Sequence, residues 1–532
     1  MNILGINCSF NAMNHDPSAC LMVNGKIVGA LEEERLNRIK TSLGYFPYKS
    51  INSILKNSKI TIKDIDLVVS TGSTHKDIQK KIKSCLIHAY GYSPKIKIFN
   101  HALTHIAGTF FSSGFNESLI VSIDGMGDKI STMICEGNNN KINEIYRSTG
   151  KEQFESLGVF YACFTEYLGF KQTEGEYKVM GMSAYGKKIF NLDRFIKVRK
   201  KPFRIELNPN IMVKWKVNSA FQPVVNYDYL KKFFPPRNSE KEKFKQVHFD
   251  LAKSVQSKYE EILIEIIKKF KGDYKNLCLA GGCGLNCLAN SKLNKLFEKI
   301  YVMPASSDRG LPIGSVYLAN YLLKNKNHKV QNMFLGNNYT DREILKILKQ
   351  FNIKYKKCNP NLDAAKEIID GKIVGWFKGR SEFGPRALGA RSILARADLK
   401  GMKKKINSRI KFREKFRPFA PAILYSYAKN FGIKKEYPYM TIACFPENSL
   451  KTKMLEAVHE DGSTRIQTVR EKSHPLFELL TNIEKKRKNP ILINTSFNLS
   501  GEPIVENPRD AIRTFMSCGL DSLYIENYKI LK

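Results

Sequence analysis

A mixed α/β protein, long enough for roughly two to four domains, is what this sequence predicts, and three observations bear on its class and organisation. Short apolar, β-branched runs alternate with helix-period stretches along the chain, as at Met1–Ser9, Ser118–Ile123, Asn276–Ala280 and Val374–Phe377. Several of these runs end in glycine-rich or acidic turns. Near residue 340 the character changes, from junctions built of His, Asp and Gly to junctions rich in Arg. A boundary there divides the chain into residues 1–338 and 339–532.

Composition narrows the class. A chain of 532 residues with 42% hydrophobic and 11% aromatic content can bury a sizeable core, so global disorder is excluded. No apolar run approaches the ~18–20 residues of a membrane span. The start, Met1-Asn2-Ile3-Leu4-Gly5-Ile6, reads as a first strand rather than a signal peptide. Eleven cysteines show no paired spacing; Cys283 and Cys287 lack partners at zinc-site distance, and a reducing cytoplasm is expected. The net charge of +37 comes mostly from Lys spread along the chain, densest at 197–204, 403–415 and 485–488. That pattern favours a solvated surface over specific nucleic-acid binding, and the same field attracts anionic phosphorylated substrates.

In chain order, Met1–Ser9 is a strand, followed by the loop Asn11–Ser18 with His15-Asp16-Pro17. Ala19–Val23 and Lys26–Glu33 form a hairpin around Asn24-Gly25, a pair that tolerates positive φ. Tyr48–Asn57 reads as helix and Ile65–Thr71 as a buried strand. Ala102–Phe111 reads as helix, closed by Gly114. It puts His101 and His105 on one face, one turn apart, where both can hold a single metal ion. Such pairs are more often simply half-buried; the nearby turn Asp124-Gly125-Met126-Gly127-Asp128, at the end of a strand, is what points to a cation. A second glycine junction, Gly281-Gly282-Cys283-Gly284-Leu285-Asn286, leads from a strand into a helix. Asp308 follows the strand Ile300–Met303 much as Asp124 follows its own. Two strand-end carboxylates, two glycine turns and a His pair thus fall in one domain.

Beyond Thr340, a plausible N-cap for a helix at Asp341–Gln350, arginines recur among Gly, Pro and Phe. They lie in Gly379–Arg391, in Lys411–Pro421 and at Arg465. Arg supplies planar, bidentate donors for phosphate or carboxylate. Ile491-Leu492-Ile493 leads into Asn494-Thr495-Ser496, which sets small polar groups at a strand end. Neither an internal repeat nor a low-complexity tail is seen.

In these motifs the chain resembles NodU/CmcH-type O-carbamoyltransferases over nearly its whole length. The motifs are His15–Ala19, His101–His105, Asp124–Asp128, Glu176–Gly181, Gly379–Arg391, Arg413–Pro421 and Asn494–Pro503. The resemblance implies an N-terminal actin-like (ASKHA) ATPase domain similar to the tRNA threonylcarbamoyl transferase, and a C-terminal YrdC-like α/β domain. It implies that the second domain makes carbamoyl-adenylate from carbamoyl phosphate and ATP, with Mg2+. The first domain then passes the carbamoyl group to a hydroxyl. On this reading His15 is the base, and His101, His105, Asp124 and Asp308 hold a divalent metal, with Fe(II) suggested and Mn or Zn open. Gly125, Gly127, Asp128, Lys178, Gly281, Gly282 and Asn286 contact a nucleotide. Arg386, Lys411, Arg413, Arg417, Arg465, Asn494, Thr495 and Ser496 bind carbamoyl phosphate and ATP. The expected partner is a hydroxylated small-molecule acceptor, in a pocket drawing on Lys187–Lys245, with no nucleic acid and no membrane; a homodimer is left open. Rival readings are a tRNA-modifying threonylcarbamoyl enzyme, which the charge favours, a non-catalytic nucleotide-binding scaffold, and a sugar kinase.

Overall fold

The computed structural model describes residues 1–10, 15–149, 154–217, 223–237, 242–324 and 326–532. Parts of the Asn11–Ser18 loop and of the Lys187–Lys245 stretch therefore lie outside the described residues. The chain divides into two compact units, residues 1–33 with 41–331, and residues 34–40 with 332–532. The reassignment of the short segment 34–40 has no sign in the sequence.

The first unit repeats one topology. β1 (Asn2–Asn7), β2 (Ser18–Val23) and β3 (Lys26–Glu32) form an antiparallel meander, and β4 (Leu67–Thr71) and β5 (Lys95–Phe99) extend it in parallel from β1. The order is β3-β2-β1-β4-β5. β6 (Glu117–Ile123), β7 (Thr132–Asn138) and β8 (Lys141–Arg147) form a second meander. Two small hairpins follow, β9 (Ile196–Lys200) with β10 (Phe203–Leu207) and β11 (Met212–Val217) with β12 (Pro223–Val225). Then β13 (Asn276–Ala280) and β14 (Lys299–Val302) run parallel to β6, giving β14-β13-β6-β7-β8. The two sheets share strand order and polarity, so an internal repeat is present in the fold although none is visible in the sequence. The β2–β3 turn has Asn24 and Gly25 at φ 48° and 76°, as the Asn-Gly pair requires. β3 ends at Glu32, and Glu33 opens the short helix Glu33–Asn37 instead of continuing the strand.

Two helices join the halves. His101–Ser113 follows β5 and packs on β6 and β13, while Leu311–Leu322 follows β14 and packs on β1 and β4. The first is N-capped by Asn100, whose Oδ1 accepts from Leu103 N at 3.1 Å, and it ends at Gly114 in the left-handed region. All its residues except Leu103 are buried. Where the two helices touch, a Cβ on Gly314 would stand 2.1 Å from the Thr104 carbonyl oxygen, and one on Gly108 would stand 3.1 Å from Gly314 Cα.

The second unit is one eight-stranded sheet. Its strands are β15 (Tyr355–Lys357), β16 (Val374–Phe377), β17 (Arg391–Arg396), β18 (Ala420–Leu424), β19 (Gln467–Val469), β20 (Ile491–Ser496), β21 (Ser522–Ile525) and β22 (Tyr528–Ile530). Their order is β15-β22-β21-β16-β17-β20-β18-β19. Alternation along each strand builds two cores. Ile393, Ile493, Ile423 and Leu523 meet Ile344, Leu348 and Phe515 on one face. Trp376, Leu394, Leu492 and Leu424 meet Ile368, Leu479 and Ile483 on the other. The helix Asp341–Gln350 begins with a full capping box between Thr340 and Glu343. Glu367 ties the helix Pro360–Ile369 to β21 and β22: its carboxylate accepts from Lys372 and Lys529 at 2.8 Å each, from Ser522 at 2.5 Å and from Tyr524 at 2.9 Å.

Two outcomes follow from this packing. Gly314→Ala drives a methyl into the Thr104 carbonyl, so it lowers stability by about 1–3 kcal/mol in denaturant unfolding. Burial raises the Glu367 carboxyl, but its four donors more than reverse this and hold it at about 2 against an ordinary 4.5. A depressed carboxylate stabilises fully above its unfolded value and loses that contribution as pH falls through its folded value. Stability measured from pH 5 down to pH 2 should therefore drop by on the order of 3 kcal/mol more in the wild type than in Glu367→Gln.

Candidate functional site

The helix joining β5 to β6 delivers two imidazoles to the end of β6. His101 is its first residue and His105 lies one turn on, with ring centroids 4.9 Å apart. Asp124 follows β6 directly, and Asp308 opens the turn leading into Leu311–Leu322. One donor atom from each of the four lies within 4.8 Å of all the others. His101 Nε2 stands 3.3 Å from Asp124 Oδ2 and 3.4 Å from Asp308 Oδ1, while His105 Nε2 stands 3.0 Å from Asp124 Oδ2. Asp124 Oδ1 accepts from Gly125 N at 2.7 Å and Gly282 N at 3.2 Å, which leaves Oδ2 facing the imidazoles. Burial pushes His101 down, but Asp308, Asp124 and Asp128 overcome it and raise the imidazole to about 9. Asp124 is raised by burial, yet His101 and His105 hold it well below the usual carboxylate range. His105 Nε2 is buried and meets Asp124 Oδ2 as an ion-pair contact without the geometry of a hydrogen bond. A mixed imidazole and carboxylate set with such a nitrogen fits a divalent cation of the Fe(II), Mn or Zn type.

The residues around this quartet hold it in place. Asp128, at φ 50°, accepts from the amides of Ser73, Thr74 and His101 at 2.9, 3.1 and 2.9 Å and from both hydroxyls of Ser73 and Thr74. Five donors occupy the carboxylate that the sequence reading gave to a nucleotide; it anchors the start of the His101 helix. A Cβ on Gly127 would lie 2.4 Å from the His101 ring, and one on Gly281, at φ 84°, would lie 2.1 Å from the Ile123 carbonyl oxygen. Both glycines are required by close packing within the protein. Gly125 N and Gly282 N orient Asp124. Asn286 caps the helix Cys287–Lys292 through Ala289 N and exchanges two amide hydrogen bonds with Gln256. Lys178 lies on the helix Glu176–Met182, its ammonium 5.0 Å from the centre of the Phe170 ring.

His15 joins the same cluster. Its backbone N–H donates to Asp308 Oδ2 at 3.2 Å, and its Nδ1 lies 2.9 Å from Asp16 Oδ2. Asp16 is itself clamped by Arg309, with Nη2 2.8 Å from Oδ1, and by Ser307 Oγ at 3.3 Å. Burial raises Asp16, while Arg309 and His15 hold it well below the usual range. Burial lowers His15, but Asp308, Asp16 and Asp124 outweigh that and lift it to about 10. With Nδ1 as donor to Asp16, the neutral imidazole presents Nε2 as its acceptor. The sequence reading gave no role to Asp16 or Arg309. Their only signal was adjacency, Asp16 to His15 and Arg309 to Asp308.

In the second unit Lys411 is buried, and its Nζ donates to Ser496 O at 2.5 Å, Asn498 O at 3.0 Å and Asn498 Oδ1 at 2.7 Å. Burial, then Arg413 and Arg417, hold its ammonium well below the ordinary lysine value. Arg413 stacks over Phe419, 4.5 Å from the ring centre, and donates to Asn407 at 3.0 Å; Arg417 lies 3.6 Å from Glu414. Arg386 is half-buried on the loop between Gly384 and Gly389, and Arg465 is half-buried with its Nε enclosed and unpartnered. β20 extends through Ser496, so Asn494 lies inside the strand and not at a loop: its Nδ2 donates to Gln467 Oε1 at 2.7 Å, and its buried Oδ1 has no partner. Thr495 pairs with Ile393 in the sheet. Asn498 and Gln467 were missed. For Asn498 the available signal was its place two residues beyond Ser496 on the same strand exit. A cavity of about 460 Å³ is lined by Asn338, Tyr339, Lys378, Gly379, His474 and Glu526 among others, and by none of the residues expected to bind ligand.

Among the described residues no helix is long and apolar enough to cross a membrane. The family model described as carbamoyltransferase N-terminus matches residues 74–317, and the one described as carbamoyltransferase C-terminus matches residues 365–532. An uncharacterized protein of Synechocystis sp., sll1178, is 31% identical over 100% of this chain and 97% of its own length. Nodulation protein NolNO of Sinorhizobium fredii is 33% identical over 98% of this chain and 80% of its own. Component A of (R)-2-hydroxyglutaryl-CoA dehydratase from Acidaminococcus fermentans aligns with a TM-score of 0.36 at 13% identity, over 60% of this chain and 97% of that one, too shallow a likeness to bear on function. Two family models that together span most of the sequence, and a relative matched over four-fifths of its own length, place this chain in the carbamoyltransferase family, as an enzyme that transfers carbamoyl groups.

Proposed function

We propose that the second unit makes carbamoyl-adenylate and that the first unit transfers its carbamoyl group to a hydroxyl of a small-molecule or sugar acceptor. The observation that carries the reading is the His101, His105, Asp124 and Asp308 quartet with the His15–Asp16 pair set against it. An alcohol attacking a carbamoyl carbon needs a base, a polarised carbonyl and a neutralised leaving phosphate. A divalent cation held by the quartet would supply Lewis acidity and charge for the phosphate, and would oppose the carboxylate field that lifts His15. Asp16 fixes the His15 ring through Nδ1, so Nε2 is the atom that takes the acceptor proton. For the second unit the support is the field of Arg413 and Arg417 on buried Lys411, which a bound phosphate would offset. The balance needs one water: it splits carbamoyl phosphate to carbamate and phosphate, and a carbamate oxygen then displaces pyrophosphate from the α-phosphorus of ATP. The +37 charge supports a nucleic-acid acceptor as the second reading.

The deciding assay incubates the protein with ATP and carbamoyl phosphate. Pyrophosphate release that requires carbamoyl phosphate is the expected result; ADP formation with a sugar instead would make the chain a kinase. Lys411→Met should cut pyrophosphate release at least about 100-fold, whereas His15→Ala should leave it intact and cut carbamoylation of the acceptor by about 100-fold or more. A mass-spectrometric screen of hydroxylated metabolites against tRNA, looking for a carbamoyl in place of a hydrogen, separates the two acceptor classes.

Metal content offers an independent check. Purified under anaerobic conditions, the wild type should carry about one transition-metal ion per chain, and His105→Ala and Asp308→Asn should carry far less. Dialysis against a chelator, followed by return of Mg2+ alone, should abolish acceptor carbamoylation while sparing pyrophosphate release. Equal metal content in all three proteins would remove the quartet from the mechanism.

A further inference from the structure

The segment 34–40 belongs to the second unit, although it lies far from it in sequence. It carries two arginines. Arg35 is 1% exposed, and its Nη2 donates to the Gly384 carbonyl at 2.6 Å. Gly384, at φ 120°, lies two residues before Arg386 on the arginine loop. Arg38 spreads its guanidinium over two successive carbonyls: Nη1 donates to Ile504 O at 2.7 Å and Nη2 to Pro503 O at 2.8 Å. Its remaining charge is met by Asp510 at 3.7 Å and Glu502 at 3.8 Å. The turn that Arg38 grips is the one that shapes the Lys411 cage. Asn498 Nδ2 donates to Glu502 O at 2.6 Å, and Asn498 O and Oδ1 accept from Lys411.

We infer that Arg35 and Arg38 are positioning residues for the anion site of the second unit. Arg35 sets the loop that bears Arg386, and Arg38 sets the turn that holds Asn498 and, through it, Lys411. A guanidinium is suited to this work because its planar fork meets two neighbouring carbonyls at once; an ammonium is a point donor. The C-terminal half is then incomplete without a piece of the N-terminal sequence. This inference rests on the adenylate-forming role proposed for that unit, and its ligand is the phosphate-bearing substrate pair.

The test uses the full chain. Arg38→Ala and Arg35→Ala should each raise the KM for carbamoyl phosphate in pyrophosphate release by about tenfold or more, and weaken inorganic pyrophosphate binding in calorimetry to a similar degree. Added guanidinium should restore part of the loss in Arg38→Ala, and Arg38→Lys should remain impaired. A residue that only stabilised the fold would lower the unfolding midpoint and the active fraction, with KM unchanged and no response to guanidinium; that result overturns the inference. If the wild type releases no pyrophosphate, the adenylate reading fails, and pyrophosphate binding by the variants still decides the arginines: weakened binding upholds their role and wild-type binding refutes it.

Discussion

Burying four ionisable groups against one another is the constraint around which the first unit is built. Each charge taken out of water costs several kcal/mol unless it is paired and hydrogen-bonded. The fold answers group by group. Asp124 gives one oxygen to two backbone amides and turns the other inward. Asp128 takes five donors, one of them the amide of His101. Asp16 is neutralised by Arg309 and shares its other oxygen with His15. What is left over is negative: Asp124 and Asp308 face the His101 imidazole, which they raise because a proton is the available counter-charge. A divalent cation at that point would supply the same counter-charge.

The second unit sets the opposite problem. Lys411 is buried next to Arg413 and Arg417, and the atoms that receive its hydrogen bonds are neutral oxygens of Ser496 and Asn498. These acceptors are all uncharged, and with burial and the two arginines they leave the charged form of Lys411 disfavoured. Arg391 shows the contrast. It is fully buried, stacks on Phe377 with its guanidinium carbon 3.5 Å from the ring centre, and donates to the carbonyls of Gly379, Ala390 and Asn337 near the Glu506 carboxylate. It is spent on holding the loop together. Its acceptors account for Arg391 within the protein, a role that composition alone does not reveal.

Local signals were legible in the sequence. The helix at Asp341–Gln350 is read to the residue because its capping box lies within four consecutive positions. The His101–His105 face and the Asp124 strand end follow from periodicity of the same short range. Packing roles that depend on distant partners were not legible. Gly127 and Gly281 are visible as glycines, but the reason for them is the His101 ring and the Ile123 carbonyl. Asp128 looked like a phosphate-turn carboxylate because Ser73 and Thr74 are far away in sequence. The strand through Asn494–Ser496 looked shorter because Asn494, polar and inside the sheet, pairs with Gln467, which the sequence does not bring near. The segment 34–40 was unreadable for the same reason: its two arginines donate to carbonyls beyond residue 380.

The duplicated topology explains why the quartet forms where it does. In each half the first strand leads into a loop before the meander returns: β1 into the His15–Asp16 loop, β6 into the Asp124–Asp128 loop. In each half the last parallel strand leads into a helix: β5 into the one that starts at His101, β14 into the one that Asp308 precedes. Matching positions of the repeat therefore supply both kinds of site residue, and Asp16 and Asp128 even share a positive φ in their respective loops. The two helices then have to cross closely to bring these ends together, and Gly108 and Gly314 lie at that crossing. Divergence of the two halves gives imidazoles on one side and a carboxylate on the other, which a symmetric pair of identical ends could not provide. A site made this way cannot sit on either half alone, so the repeat, the glycine crossing and the metal-type donor set are one structural solution.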